Sequence, residues 1–93
     1  MIAIFKYELT PTDETGRCEV SAPGLMQALS VGEQNSRIYL WALVNTEKPV
    51  SSRGFYVYGT GHPIEPHRFM VDRYVGTVHF RGAPLVFHVF EAP

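Results

Sequence analysis

Cysteine is nearly absent from this sequence. Cys18 stands alone, which excludes an intramolecular disulfide and any cage of cysteines around zinc. A reducing, cytosolic setting is the simplest one consistent with it. Neither sign of charge is in excess: eight Lys and Arg against nine Asp and Glu leave a net charge of -1. No bulk field therefore draws the chain to nucleic acid or to an anionic membrane, although a local basic patch stays open. No apolar run approaches the roughly 20 residues of a membrane helix. The opening Met1–Tyr7 is broken by Lys6 too early for a secretory signal. Repeats, linkers and low-complexity tracts are also missing, so the 93 residues are expected to form one domain over 1–93.

What is present is Gly and Pro at short, fairly even spacing, between runs rich in β-branched and aromatic residues. Strands are predicted over Ile2–Leu9, Arg17–Ser21, Arg37–Asn45 and Arg53–Thr60, with Thr46–Ser52 as a polar loop. Leu25–Glu33 is ambiguous between a helical turn and a strand. The strand is preferred, because the next one begins just past Gln34-Asn35-Ser36 and a hairpin is the natural connection. In Arg37–Asn45 the residues Ile38, Leu40, Ala42 and Val44 fall on one face, with Tyr39, Trp41 and Leu43 on the other. Such a strand is central, or its second face meets a partner. Gly61–Val71, with its prolines and histidines, reads as irregular. Asp72–Phe80 and Leu85–Glu91 read as a hairpin in which Thr77, His79, Val86 and His88 share a face opposite Val78, Phe80, Leu85 and Phe87. The expected fold is all-β, a small antiparallel sandwich or partly open barrel of six to seven strands, with at most one short helical turn.

The segment Tyr58-Gly59-Thr60-Gly61-His62-Pro63-Ile64 stands out. Glycines around a threonine at a strand end permit a sharp bend and close approach of a ligand to the main chain. Successive free backbone N–H groups there would cradle an anion, with Arg53 and His62 adding charged donors. The alternative is a bulge and tight turn that merely re-aims the chain. The spacing is neither a phosphate loop nor a dinucleotide fingerprint.

Four histidines raise the question of a metal, but His62, His67, His79 and His88 follow no metal-ligand spacing. His79 and His88 read instead as polar members of a sheet face, each satisfied by a hydrogen bond. Cys18 and Ser51-Ser52 lack an adjacent base, and the acids fall mostly in turns and at strand ends. Glu91 is expected to pair with Lys6 or Arg53. No catalytic residues, metal or cofactor are expected.

Tyr7, Tyr39, Trp41, Tyr56, Tyr58, Tyr74 and Phe90 offer more ring area than one small core usually needs, so some are expected at the surface. With Arg37, Arg53 and Arg73 they suggest either a subunit interface or an aromatic and arginine pocket for a planar, phosphorylated ligand.

The blocks Leu40-Trp41-Ala42-Leu43-Val44, Phe55 to Ile64, Tyr74-Val75-Gly76-Thr77-Val78 and Phe87-His88-Val89-Phe90-Glu91, with the opening Phe5-Lys6-Tyr7, resemble a widespread family of small bacteriophage proteins with a Gly-Thr-Gly-His-Pro-Ile core. Phe87 stands where that pattern would place Trp. The resemblance implies a phage origin and a host-cytoplasm setting, and brings no activity with it.

The functional expectation is a non-enzymatic binding protein, a homo-oligomer, that captures a small anionic or nucleotide-like ligand such as a host defence signal. Its contacts would come from Arg53, Tyr58, Gly59, Thr60, Gly61 and His62, with Trp41, Tyr74 and His88 nearby. The alternatives are an inhibitor of a host protein and a minor virion component.

Overall fold

The computed structural model describes residues 1–93 and contains seven strands and one short helix. In chain order these are β1 (Ile2–Glu8), β2 (Arg17–Pro23), β3 (Leu25–Gln34), β4 (Arg37–Asn45), β5 (Val50–Gly59), α1 (Pro66–Val71), β6 (Arg73–His79) and β7 (Val86–Glu91). They form two antiparallel sheets, ordered β1-β4-β3 and β2-β5-β7-β6, and the barrel does not close. The all-β expectation holds.

Alternation within the strands decides what lies between the sheets. Leu40, Ala42 and Val44 of β4 face Cys18, Ala22, Phe55, Val78 and Val89 of the other sheet, all essentially without solvent contact. Burying side chains such as Leu40 or Phe55 contributes about 1.5–3 kcal/mol each. The ambiguous stretch is strand throughout, from Leu25 to Gln34, and enters β4 through Asn35 and Ser36, both at positive φ. Two such residues make the type I′ turn whose twist matches the flanking strands. The β6–β7 hairpin has the expected register, with Thr77 opposite His88 and Val78 opposite Phe87.

Along one side of the sandwich, β3 and β6 lean on each other. Gly76 makes this possible, because a Cβ there would sit 2.9 Å from Val31 Cγ2. Near the opposite end, Gly16 holds the loop before β2 against β5. Its φ is +86°, and Val57 N–H donates to its carbonyl at 2.9 Å.

Three expectations need correction. Gly61–Val71 is not wholly irregular, because α1 occupies its second half. Pro66 starts the helix, where a proline's missing N–H costs nothing. β5 begins at Val50, three residues inside the expected loop, because Val50–Ser52 pair with β2. The aromatic residues are not all exposed: Tyr7, Tyr39, Trp41 and Phe90 are half-buried. Tyr56 and Tyr58 are buried beneath the segment that contains α1, while Tyr74 is 55% exposed.

Candidate functional site

The outer face of the four-stranded sheet carries a row of rings. Tyr56 and Tyr58, two apart on β5, stack with centroids 6.0 Å apart and planes 4° apart. Phe90 of β7 meets Tyr58 edge-on, and Tyr74 of β6 meets Phe90 in the same way. Residues 60–72 fold back across this row, and Ile64 packs on it.

Between that returning segment and the Glu14–Gly16 loop lies an open cleft of about 670 Å³. Tyr56, Val57 and Tyr58 form its floor, while His62, Pro63, Glu65, His67 and Arg68 form one wall. Tyr56 Oη sits between two guanidinium groups: Arg17 Nη1 donates to it at 3.2 Å and Arg68 Nη1 at 3.1 Å. Both guanidinium groups also lie over the Tyr56 ring. A phenol oxygen that accepts two such bonds keeps its own O–H to donate, and no protein acceptor takes that proton. Arg17 is held even more firmly charged than usual, first by its bond to Tyr56 and then by Glu19. The Tyr58 hydroxyl is pushed up from its ordinary pKa, mainly by burial and then by the Asp72 charge.

Asp72 is the other unusual group. Its side chain is buried, neither carboxylate oxygen has a hydrogen-bond partner, and Arg68 Nη1 stands 3.7 Å away. Arg68 is thus poised between a buried anion and a phenol, which orients its guanidinium toward the cleft floor.

The residues singled out in the sequence scatter around this site. Tyr58 and His62 line the cleft. Gly59 does not touch it but is required by it: the His62 ring folds back so that a Cβ at Gly59 would meet its Cε1 at 2.8 Å. Gly61, at φ +87°, makes the bend and has open space beside it. The expected anion cradle is not formed by the amides of Thr60 and His62, which are already bonded to Val86 and Gly59 carbonyls. Thr60 Oγ1 instead meets His88 Nε2 at 2.8 Å. Thr77 Oγ1 holds His88 Nδ1 at 3.1 Å and the Tyr74 hydroxyl at 2.6 Å. His88 is therefore pinned on the same sheet face, at the far side of the bend.

Arg53 is elsewhere. It lies six residues before Gly59 on β5, about 20 Å along an extended strand. There it pairs with Glu91 and donates to the Leu25 carbonyl at 3.2 Å, tying the two sheets together. Trp41 is remote as well, on the outer face of the other sheet, where its ring covers Gly32 and tilts against Tyr39. No group of three His, Cys, Asp or Glu side chains is placed to hold a metal ion, and no helix is long and apolar enough to cross a membrane. Sequence reading missed Arg17, Arg68 and Tyr56 as a unit. Only the β2–β5 pairing, with Arg17 opposite Tyr56, and the hidden helix bring them together.

Fold and site together define a small two-sheet antiparallel sandwich with a tyrosine and arginine cleft on the outer face of one sheet. The chain belongs to the family described as Domain of unknown function (DUF7352), whose model matches residues 1–93. No curated protein and no solved structure matches it.

Proposed function

We propose that this protein binds a small planar ligand bearing one anionic group, and performs no chemistry on it. The observation that carries the reading is Tyr56 Oη. It is a hydroxyl whose acceptor capacity is filled by Arg17 and Arg68 and whose proton is free to donate into the cleft. A phosphate or carboxylate oxygen placed there meets one O–H donor and two nearby positive charges. His62 and His67 on the wall offer further polar contact, and the floor supplies ring surface. Glu14 and Glu65 at the rim disfavour a polyanion, so a nucleotide-like monoester or an aromatic carboxylate fits better than a triphosphate. The resemblance to small phage proteins supports a stoichiometric role in a host cytoplasm, where such a chain would sequester a signal.

Calorimetry against nucleoside monophosphates, aromatic carboxylates and inorganic phosphate tests this reading. Tyr56→Phe removes the donor and keeps the ring. A hydrogen bond to a charged group is worth about 1.5–3 kcal/mol, so binding should weaken by roughly 10- to 100-fold. Equal binding by the variant and the parent would refute the assignment.

A second reading, inhibition of a host protein, is favoured by Phe69 and Met70. They stand 65% and 76% exposed on α1, on the sheet face that also carries Tyr74. Capture of one host protein by the parent and not by Phe69→Ser, with no ligand bound, would select it.

A further inference from the structure

Of the four lateral edges of the two sheets, three are protected. β3 and β6 lean together, and β2 is closed at its start, where Thr12 N–H takes the outward Arg17 carbonyl at 2.8 Å, and at its end by Pro23, which has no N–H to offer. β1 is bare. Leu9 N–H donates to the Ile38 carbonyl, and Thr46 N–H donates to the Met1 carbonyl, both at 2.9 Å. In an antiparallel ladder the hydrogen-bonded pairs alternate. The odd-numbered residues of β1 therefore bond to β4, and the N–H and C=O groups of Ile2, Ile4, Lys6 and Glu8 point outward, away from any strand.

The side chains that would normally guard such an edge are turned away from it. Lys6 Nζ reaches across the sheet, lying 4.6 Å over the Tyr39 ring and bonding Gln34 Oε1 at 3.0 Å. Glu8 is held by Arg37 at 3.2 Å and by Thr10 at 2.9 Å. What the edge presents is apolar: Ile4 is 60% exposed, and Phe5, on the core side, is 37% exposed where the sandwich is open.

We propose that β1 pairs antiparallel with β1 of a second copy of this chain about a two-fold axis at Phe5, joining the two three-stranded sheets into one six-stranded sheet. The strand's own sequence selects this occupant and register. Side-chain alternation restricts a symmetric pair to axes that fall on a residue. An axis at Lys6 sets Lys6 opposite Lys6 of the partner subunit, with like charges face to face. An axis at Ala3 or Ile4 strands the outward groups of Glu8, and an axis at Tyr7 strands those of Ile2. With the axis at Phe5, Ile2 faces Glu8 and Ile4 faces Lys6 in each direction. Every outward N–H and C=O then finds a partner, and no charge opposes a like charge. The two Phe5 rings meet in the closer, non-hydrogen-bonded position and cover the open side of both cores.

Amide hydrogen exchange resolved by residue decides the matter, because the two halves of the β1 ladder report separately. In the dimer, Ile4, Lys6 and Glu8 amides are protected as well as Phe5 and Tyr7. In a monomer, only the odd-numbered amides are. Sedimentation should give twice the 10.5 kDa of one chain. Ile4→Pro deletes an outward N–H that β4 does not use, so it should yield a folded monomer with fast exchange at Lys6 and Glu8. Should that variant unfold, Ile4→Lys serves, with the same expected result. Rapid exchange of the even-numbered amides in the parent chain, or a dimer that survives both substitutions, overturns the proposal.

Discussion

Arg68 Nη1 on α1 donates to Tyr56 Oη on β5 at 3.1 Å, and the bond fastens the returning segment to the floor of the cleft. Replacing Arg68 with alanine removes that tie and leaves the buried Asp72 carboxylate without its nearest cation. Arg68→Ala should lower stability by about 1–3 kcal/mol, read by urea denaturation, and should abolish ligand binding. Asp72→Asn in the same background should recover part of the stability and none of the binding.

The Arg53–Glu91 pair predicts an asymmetry. Arg53 is about a third exposed and reaches water if its partner is lost, whereas Glu91 is nearly buried. Arg53→Met, which strands a buried carboxylate, should therefore cost about 3 kcal/mol. Glu91→Gln should cost nearer 1 kcal/mol, since the guanidinium keeps an acceptor and solvent. Denaturation midpoints of the two variants decide the order.

Cys18 is buried in the core, and that burial, reinforced by the nearby Asp13 and Glu19 charges, pushes its thiol up to about 11 from an ordinary 9.0. The folded state thus holds the proton more tightly than the unfolded one. Its contribution to stability is intact below pH 9 and fades as pH rises from 9 toward 11. Cys18→Ser should blunt that alkaline loss. In the parent, a thiol reagent at pH 8 should react only as fast as the protein opens.

Gly76 and Val31 are expected to be coupled. Gly76→Ala drives a methyl group into Val31 Cγ2 and should cost about 1–3 kcal/mol. Val31→Ala makes room, so the double variant should be more stable than the sum of the single changes implies. Additive values would show that the two sheet edges do not touch there.

The strands were legible because alternation and turn chemistry agree. Ile38 to Val44 repeats every second residue, and Asn35-Ser36 favours a tight turn. The helix was not, since six residues beginning with Pro66 bury none of their own side chains and leave no periodic stripe to read. The glycine bend is a corner, with the Thr60 and His62 amides spent on the fold, and the cleft lies beside it. Arg53 looked like a partner for His62 because both flank one strand. An extended chain sets them at opposite ends, which linear proximity conceals. Arg17 and Tyr56, far apart in sequence, meet only through strand pairing.

The most direct measurement is a residue-resolved NMR titration of the intact chain with a nucleoside monophosphate and, separately, an aromatic carboxylate. The account predicts saturable shifts confined to Thr15, Gly16, Tyr56 to Tyr58 and His62 to Arg68, lost in Tyr56→Phe. Shifts centred instead on Trp41 and the other sheet, or none with either ligand class, would contradict it.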